Sequence, residues 1–432
     1  MSANLSAVEA SRPAGAVARG SILTFAGYAA SLARPVAFAI FARVHGAAAL
    51  AGLFVLWTAV ELGARLASLG LDRGLRRWAG DRAAATAGAL VVATLAGAVV
   101  AGVVIAMLPR LVPLDADALA LGRAVVAITL PTYAAASVAL RAARGEAQIA
   151  MFVLTRSVVE PVLLLVAGLA LGAAGHGARP LFLAFLISIA GSSVVAAITA
   201  VRAIGGAALA RALVQPRRWP LHALVPTSIP LGIADLLQSV QGKLDLVMVG
   251  LVTYSGEAIA GYAIASELVS GFTQVRQGYD QVVAPIAAEL RGRRGDLISL
   301  LTDGMRWNAA IALAMAGALI AFPATFLDLL GGSAAAVPVL LLLVVGRAIE
   351  TMLGPATSIL SVVGHPRFAL AATAIGVAVS VVAQLVLAVF GAAGIAAASS
   401  LGAITAALLA AGWLARNEGI VPRWPWRRAL AA

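Results

Sequence analysis

Glu61 and Arg65 stand four residues apart inside an apolar run that begins near Leu50, with no turn residues between them. The same spacing recurs in Arg156 with Glu160 and in Arg276 with Asp280. Arg34, Asp235, Lys243, Asp245, Glu267, Arg347 and Glu350 sit in equally apolar surroundings. A charge at the centre of a bilayer costs about 2.5–3.5 kcal/mol on insertion scales, so these thirteen groups must face one another or water. Guanidinium forks pair with phosphate or carboxylate and stay protonated in any environment. Carboxylates beside them can take up a proton or sodium ion, because burial and neighbouring positive charge adjust their affinity. Anion binding with cation coupling is the chemistry such an inventory supports.

The elements that carry these charges follow from composition. Of 432 residues, 62% are hydrophobic and 12% charged, with a mean hydropathy of +0.98. Soluble domains have about 45–50% apolar and about 25% charged residues. Apolar stretches of about 20 residues, each long enough as a helix to cross about 30 Å of hydrocarbon, recur along the chain. They predict twelve transmembrane helices near residues 18–43, 50–71, 85–108, 121–142, 150–173, 181–203, 223–252, 258–284, 306–328, 336–362, 368–391 and 395–415.

With both termini on the cytoplasmic side, the inner segments hold 21 basic residues, including Arg73, Arg76, Arg77, Arg82, Arg141, Arg217 and Arg218. The outer loops hold only Arg43, Arg110, Arg123 and Arg179, the bias expected of short inner loops. Trp78, Trp219, Trp307, Trp413, Trp424 and Trp426 fall at the same inner edges, where an indole is favoured. The net charge of +12 is thereby accounted for by topology and anionic membrane lipids, with no nucleic acid partner.

Other chemistries are excluded or left without residues. Cysteine is absent, which removes disulfides, thiol catalysis and thiolate metal sites. His45, His176, His222 and His365 lie in four separate loops and have no ligand spacing, so no metal and no cofactor is expected beyond a coupled proton or sodium ion. The start of the chain has no basic region before a short apolar core, so it reads as retained. A membrane-embedded polymerase, ligase or acyltransferase would need a long outer loop or a histidine site. Neither is visible, and no enzyme is expected.

Helical projection sorts the charges. Thr58, Glu61, Arg65, Ser68 and Asp72 fall within roughly 80° of the second span, and Glu267, Ser270, Gln274, Gln277 and Gln281 do the same in the eighth. Asp235, Gln238, Gln241 and Asp245 share about 120° of the seventh, and Arg347, Glu350, Thr351, Thr357, Ser358 and Ser361 about 120° of the tenth. Four polar stripes predict a common wet interior. The first span, with Arg34, is bent by Pro35. Arg276 and Asp280 lie off the glutamine stripe, and Lys243 lies across from the aspartate face of its helix, where it could snorkel outward. Each pair four apart is also the spacing of a self-neutralised structural pair. Gly168 and Gly172 read as ordinary close packing in an Ala-rich bundle.

An internal repeat links Ala51–Asp72 to Ala260–Asp280. Six spans separate the copies, so both halves share one orientation, as in a parallel repeat. The expected organisation is a six-helix lobe over 1–204, a basic cytoplasmic linker over 205–222, and a six-helix lobe over 223–432 ending in a basic cytoplasmic tail. The fold class is all-α integral membrane, with two lobes around a central polar cavity.

The stretches 32–77, 226–272, 283–290 and 364–408 resemble polysaccharide-export flippases of the Wzx type, in the MOP superfamily with MurJ-type lipid flippases and MATE exporters. The pattern from Asp245 to Gly250 followed by Ala260 to Ala265 carries most of the likeness, and Gly391–Ala398 comes next. The resemblance implies a cavity lined mainly by the first, second, seventh and eighth helices. It also implies transport of an oligosaccharide on undecaprenyl diphosphate from the inner to the outer leaflet of the bacterial cytoplasmic membrane by alternating access. By helix and depth it makes Arg34, Arg65 and Arg276 candidates for the diphosphate or acidic sugars. Glu61, Asp235, Asp245 and Glu267 become candidates for coupling or for sugar hydrogen bonds. The stripes add Arg347, Gln238, Gln241, Gln274 and Gln277 for substrate and Glu350 for ion coupling. Implied partners are the lipid-linked oligosaccharide, membrane lipids and other polysaccharide assembly proteins. The alternative is a MATE-type cation-coupled drug or small-molecule exporter. Its cavity should be acid-dominated, whereas the span charges are seven acids to six bases. GLDRGLRR at 70–77 has the wrong glycine spacing for the major-facilitator loop.

Overall fold

The computed structural model describes residues 33–78, 80–143, 151–152, 154–173, 175–289, 294–353, 356–363 and 365–420, and no strand occurs among them. The helices are α1 (Ala33–His45), α2 (Ala47–Ser68), α3 (Leu71–Arg77), α4 (Arg82–Leu111), α5 (Ala116–Leu140), α6 (Glu160–Gly172), α7 (Ala178–Ile204) and α8 (Gly206–Leu213). They continue as α9 (Leu221–Thr253), α10 (Gly256–Glu289), α11 (Arg294–Ala321), α12 (Pro323–Leu329), α13 (Val337–Met352), α14 (Ala356–Val363), α15 (Pro366–Leu387) and α16 (Gly391–Asn417). Every expected span is mainly helical over its described residues, with breaks at Leu69–Gly70, Phe322 and Leu353 inside the second, ninth and tenth. Among these, eight helical stretches are long and apolar enough to cross a membrane, and nine if bent α9 is one span; Pro366–Asn417, counted as one, contains both α15 and α16. The chain is an all-α, multi-pass membrane protein. Residues 1–32, which include most of the first expected span, 144–150 and 421–432, which include the basic tail, lie outside the described residues.

The described residues form two compact units, one within Ala26–Ala263 and one within Ile264–Ala432, with the division falling inside α10. In the first, α4 turns Ala85, Ala89, Ala93, Gly97 and Ala101 inward, four residues apart, and leaves Leu95, Val99 and Val103 exposed. Small residues inside and large apolar ones outside suit a helix whose surroundings are lipid, since close backbone packing rather than water exclusion joins such helices. Phe41 and His45 of α1 lie against Gly168 and Gly172 of α6, so that GxxxG pair makes an intramolecular seat. Hydroxyls in the spans return to the preceding turn, as in Thr129 to the Val125 carbonyl (2.7 Å) and Ser137 to that of Tyr133 (2.9 Å), because an unmade hydrogen bond in hydrocarbon is costly. Linker helix α8 places Leu209 and Ala212 against Ala87 and Ala136, and the Trp219 indole donates to the Ala212 carbonyl at 2.8 Å. In the second unit, α15 packs along α16, and α13 packs on both α16 and α11.

Two local features place the charged residues of the first unit. Leu69 and Gly70 adopt left-handed backbone (φ 49° and 72°) and break α2 from α3, and that corner presses on α9. A Cβ on Gly70 would lie 2.3 Å from the Ser228 carbonyl oxygen, and one on Gly232 would lie 2.5 Å from the Gly70 nitrogen. Only glycine permits this approach. Next, Leu154–Val159 forms a π-helical stretch leading into α6. Pro161 has no N–H to donate to the carbonyl four residues back, which accounts for the widened turn there.

Gly232→Ala should lower the thermal unfolding midpoint in detergent, by about 1–3 kcal/mol of overpacking. Gly242→Ala, on the same helix with nothing within 4 Å of the added Cβ, should leave it unchanged or raise it.

Candidate functional site

One face of α2 presents Trp57, Glu61, Ala64, Arg65 and Ser68, and the Leu69–Gly70 corner turns Asp72 and Arg73 of α3 into the same space. Helix α5 adds Tyr133 and Ser137, with Arg141 just after its end; the π-helical stretch adds Arg156, α6 Glu160, α9 Asp235 and α1 Arg34. With Phe152 these residues line a cavity of about 230 Å³ inside the first unit. Its wall carries five arginines and four carboxylates.

Seven charges alternate along one side. Lys243 donates to Glu61, and Arg65 donates to Glu61 Oε1 at 3.1 Å and to Asp235 Oδ2 at 2.9 Å. Arg73 donates to the other oxygen of Asp235. Asp72 then stands 3.9 Å from Arg73 and 3.8 Å from Arg141. Each of the three carboxylates has two cationic neighbours, and cations end the row at both ends. Burial pushes the Asp72 carboxyl above the usual carboxylate range, against the opposing pull of Arg141 and Arg73. A folded value above the unfolded one gives stability that is present below the unfolded value and lost as pH rises through the folded one.

Opposite stands a separate pair, Arg156 to Glu160 at 2.7 Å, with Arg156 also donating to Ser137 Oγ at 3.1 Å. Its guanidinium lies 3.6 Å from the Tyr133 ring centroid, that of Arg141 4.9 Å from Phe152, and that of Arg34 5.7 Å from Trp57. Three wall arginines therefore rest on aromatic faces, which are attracted to cations through the ring quadrupole and restrict the guanidinium plane.

Six of the thirteen span charges singled out in the sequence, Arg34, Glu61, Arg65, Arg156, Glu160 and Asp235, line this cavity, and four of them, Arg34, Glu61, Arg65 and Asp235, were candidates for substrate or coupling. Three others meet in the second unit, where Arg276 of α10 and Arg347 of α13 both donate to Glu350, the latter at 2.8 Å. Arg276 therefore has an interhelical partner; the side chain of Asp280, its expected neighbour, lies outside the description. Asp245 is buried and is not in the cavity wall: it accepts from the Tyr262 hydroxyl at 2.8 Å and from the Leu246 amide at 2.9 Å. The Asp245 to Ala265 pattern thus includes a contact that ties α9 to the start of α10. Gln241, Glu267 and Gln274 are half-buried on α9 and α10, and the side chains of Gln238 and Gln277 lie outside the description.

Lys243 corrects an expectation. It does not snorkel outward, because it holds Glu61. A straight-helix projection put it across from the aspartate face, but α9 bends by 49° between Leu221–Leu237 and Ser239–Thr253, which breaks the angular register. Asp72, Arg73 and Arg141 were legible only as a stripe end and as inner-loop charges. Gly70 was the available signal that the second helix breaks there.

The fold is that of the MOP superfamily of membrane transporters. A MOP superfamily transporter from Pyrococcus furiosus, described by a reversed binding-pocket polarity suggesting a different function, matches at 16% identity and TM-score 0.62 over 94% of this chain and 95% of that one. An outward-facing MATE family multidrug resistance transporter matches at 14% and 0.62 over 94% and 95%. The lipid II flippase MurJ, inward closed, matches at 12% and 0.68 over 91% and 87%. No family model and no curated protein matches the sequence.

The two arginine groups should respond differently to substitution. Arg65→Ala removes the guanidinium shared by Glu61 and Asp235 but leaves each carboxylate a second cation, Lys243 and Arg73, so the purified protein should lose about 1.5–3 kcal/mol. Arg156→Met leaves Glu160 buried without its cation and should cost about 3–5 kcal/mol, much of it recovered in the double variant Arg156→Met with Glu160→Gln. Denaturation midpoints of the three variants check both.

Proposed function

We propose that the protein is a flippase of the Wzx type that moves undecaprenyl-diphosphate-linked oligosaccharide from the inner to the outer leaflet of the bacterial cytoplasmic membrane. Transport is by alternating access of two six-helix lobes joined through 205–222, and it is coupled to a proton or sodium ion. Both termini are cytoplasmic and the protein is not an enzyme. The observation that supports this best is the arginine-rich cavity wall of the first unit, five guanidiniums against four carboxylates. Guanidinium forks match the oxygens of a phosphoryl group in geometry as well as charge. An inside-negative potential favours outward movement of an anion by about 2.3 kcal/mol per charge per 100 mV. The second cluster, Arg276 and Arg347 on one Glu350, is a further cationic surface for acidic sugars.

A MATE-type exporter of cations is the second reading, favoured by the likeness to the multidrug transporter fold. Against it, Glu61, Asp72, Glu160 and Asp235 are each already engaged by arginine or lysine. A cationic drug would have to displace those tethered cations.

A deletion strain should accumulate lipid-linked oligosaccharide in the cytoplasmic leaflet, measured by leaflet-selective labelling, and Arg65→Ala should restore little of the export. A strain with normal surface glycan and new sensitivity to cationic dyes would establish the exporter instead.

A further inference from the structure

Asp235 is held in an unusual way. Its two oxygens accept from guanidiniums on two different elements, Arg65 of α2 and Arg73 of α3, both of which also line the cavity. The arginine side chains remain 35% and 38% exposed, whereas Asp235 is at 17%. The Nε atoms of Arg65 and Arg73 are buried donors that meet no acceptor among the described residues. Two forks converge on one carboxylate, with donor capacity left over. Resting on the reading of the cavity as an anion site, we propose that Asp235 is an internal anion seated where the diphosphate of the substrate binds, and that substrate takes Arg65 and Arg73 by displacing it.

The charge row makes this exchange feasible. When Asp235 leaves, Arg65 still holds Glu61 and Arg73 still faces Asp72, so no cation on α2 or α3 is stranded. A phosphoryl group offers three oxygens and more negative charge than one carboxylate, so it can engage the exposed parts of both guanidiniums at once. The cavity beside the pair, at about 230 Å³, gives such a group room. Asp235 belongs to the Leu221–Leu237 segment of α9, set at 49° to the rest of that helix. Its two ion pairs are ties between that segment and the α2–α3 corner. Displacing Asp235 removes both, so anion binding and release of the segment become one event. Asp235 is a positioning and specificity residue in this scheme: an anion too weakly charged to replace it leaves the segment tied.

Affinity for a ligand that must first displace an internal occupant is reduced by the fraction of time the seat is free. In detergent, Asp235→Asn should therefore bind pyrophosphate about tenfold or more tightly than the parent by titration calorimetry, and Arg73→Ala more weakly. The chain contains no cysteine, so Leu66→Cys and Ile233→Cys allow spin labels on α2 and α9 of an otherwise unchanged protein, and pyrophosphate should lengthen the distance between them. That measurement decides the matter even where Asp235→Asn fails to fold. Binding by the parent with no gain in Asp235→Asn and no change in label distance overturns the exchange and leaves the anion site standing. No binding of pyrophosphate or of an isoprenyl diphosphate by any of these proteins overturns both. Tighter binding of the isoprenyl diphosphate than of pyrophosphate by Asp235→Asn supports a lipid-borne ligand.

Discussion

The guanidinium of Arg65, shared between Glu61 on its own helix and Asp235 on α9, is the contact on which the first unit's polar interior depends. Within a bilayer an isolated charge is costly, and pairing is the means of keeping it. A single pair neutralises itself and goes no further. A shared arginine leaves each partner able to accept again, so Lys243 adds at one end and Arg73 at the other, and the row extends to Asp72 and Arg141. The row is therefore a property of several helices at once, and it ends in cations on both sides.

Backbone contact makes that row possible. The left-handed corner at Leu69 and Gly70 breaks α2 from α3 so that Arg65 and Arg73 both reach Asp235, and the Gly70–Gly232 approach sets α9 close enough for that carboxylate to serve both. Side-chain chemistry and backbone shape are not separable here. A bulkier corner would hold α9 away and leave two arginines and an aspartate to find water. The wide turn before Pro161 does similar work on the opposite wall by aiming Arg156 over Tyr133 and toward Glu160.

Two kinds of arginine result. Arg156 is tightly enclosed, stacked and paired, and its role is to hold Glu160 and the π-helical stretch in place. Arg65 and Arg73 are more than one-third exposed, with each bonded only in part. What separates the two kinds is exposure to the cavity rather than the number of bonds made, since Arg156 and Arg65 each donate through both terminal nitrogens. The carboxylates of this cavity are likewise each already engaged by a cation carried on the protein.

Much of this was legible in the sequence. Apolar runs of helical length require membrane helices whatever their partners, because the backbone cannot leave its hydrogen bonds unmade in hydrocarbon. Charges inside those runs require polar company, and that marked thirteen span charges as groups that must pair or face water, without dividing them between the first-unit cavity, the Arg276–Arg347–Glu350 cluster and the Asp245–Tyr262 contact. Periodicity failed where helices depart from straightness or end: the bend in α9 moved Lys243 onto Glu61, and the corner after α2 turned Arg73 and Arg141 from presumed loop charges into cavity wall. Local sequence determines which groups cannot stay alone in oil; which of them pair, and which keep donors open to a ligand, depends on bends and close backbone approaches between segments about 160 residues apart, as in Arg73 with Asp235 (162), a relation that periodicity within one helix does not encode.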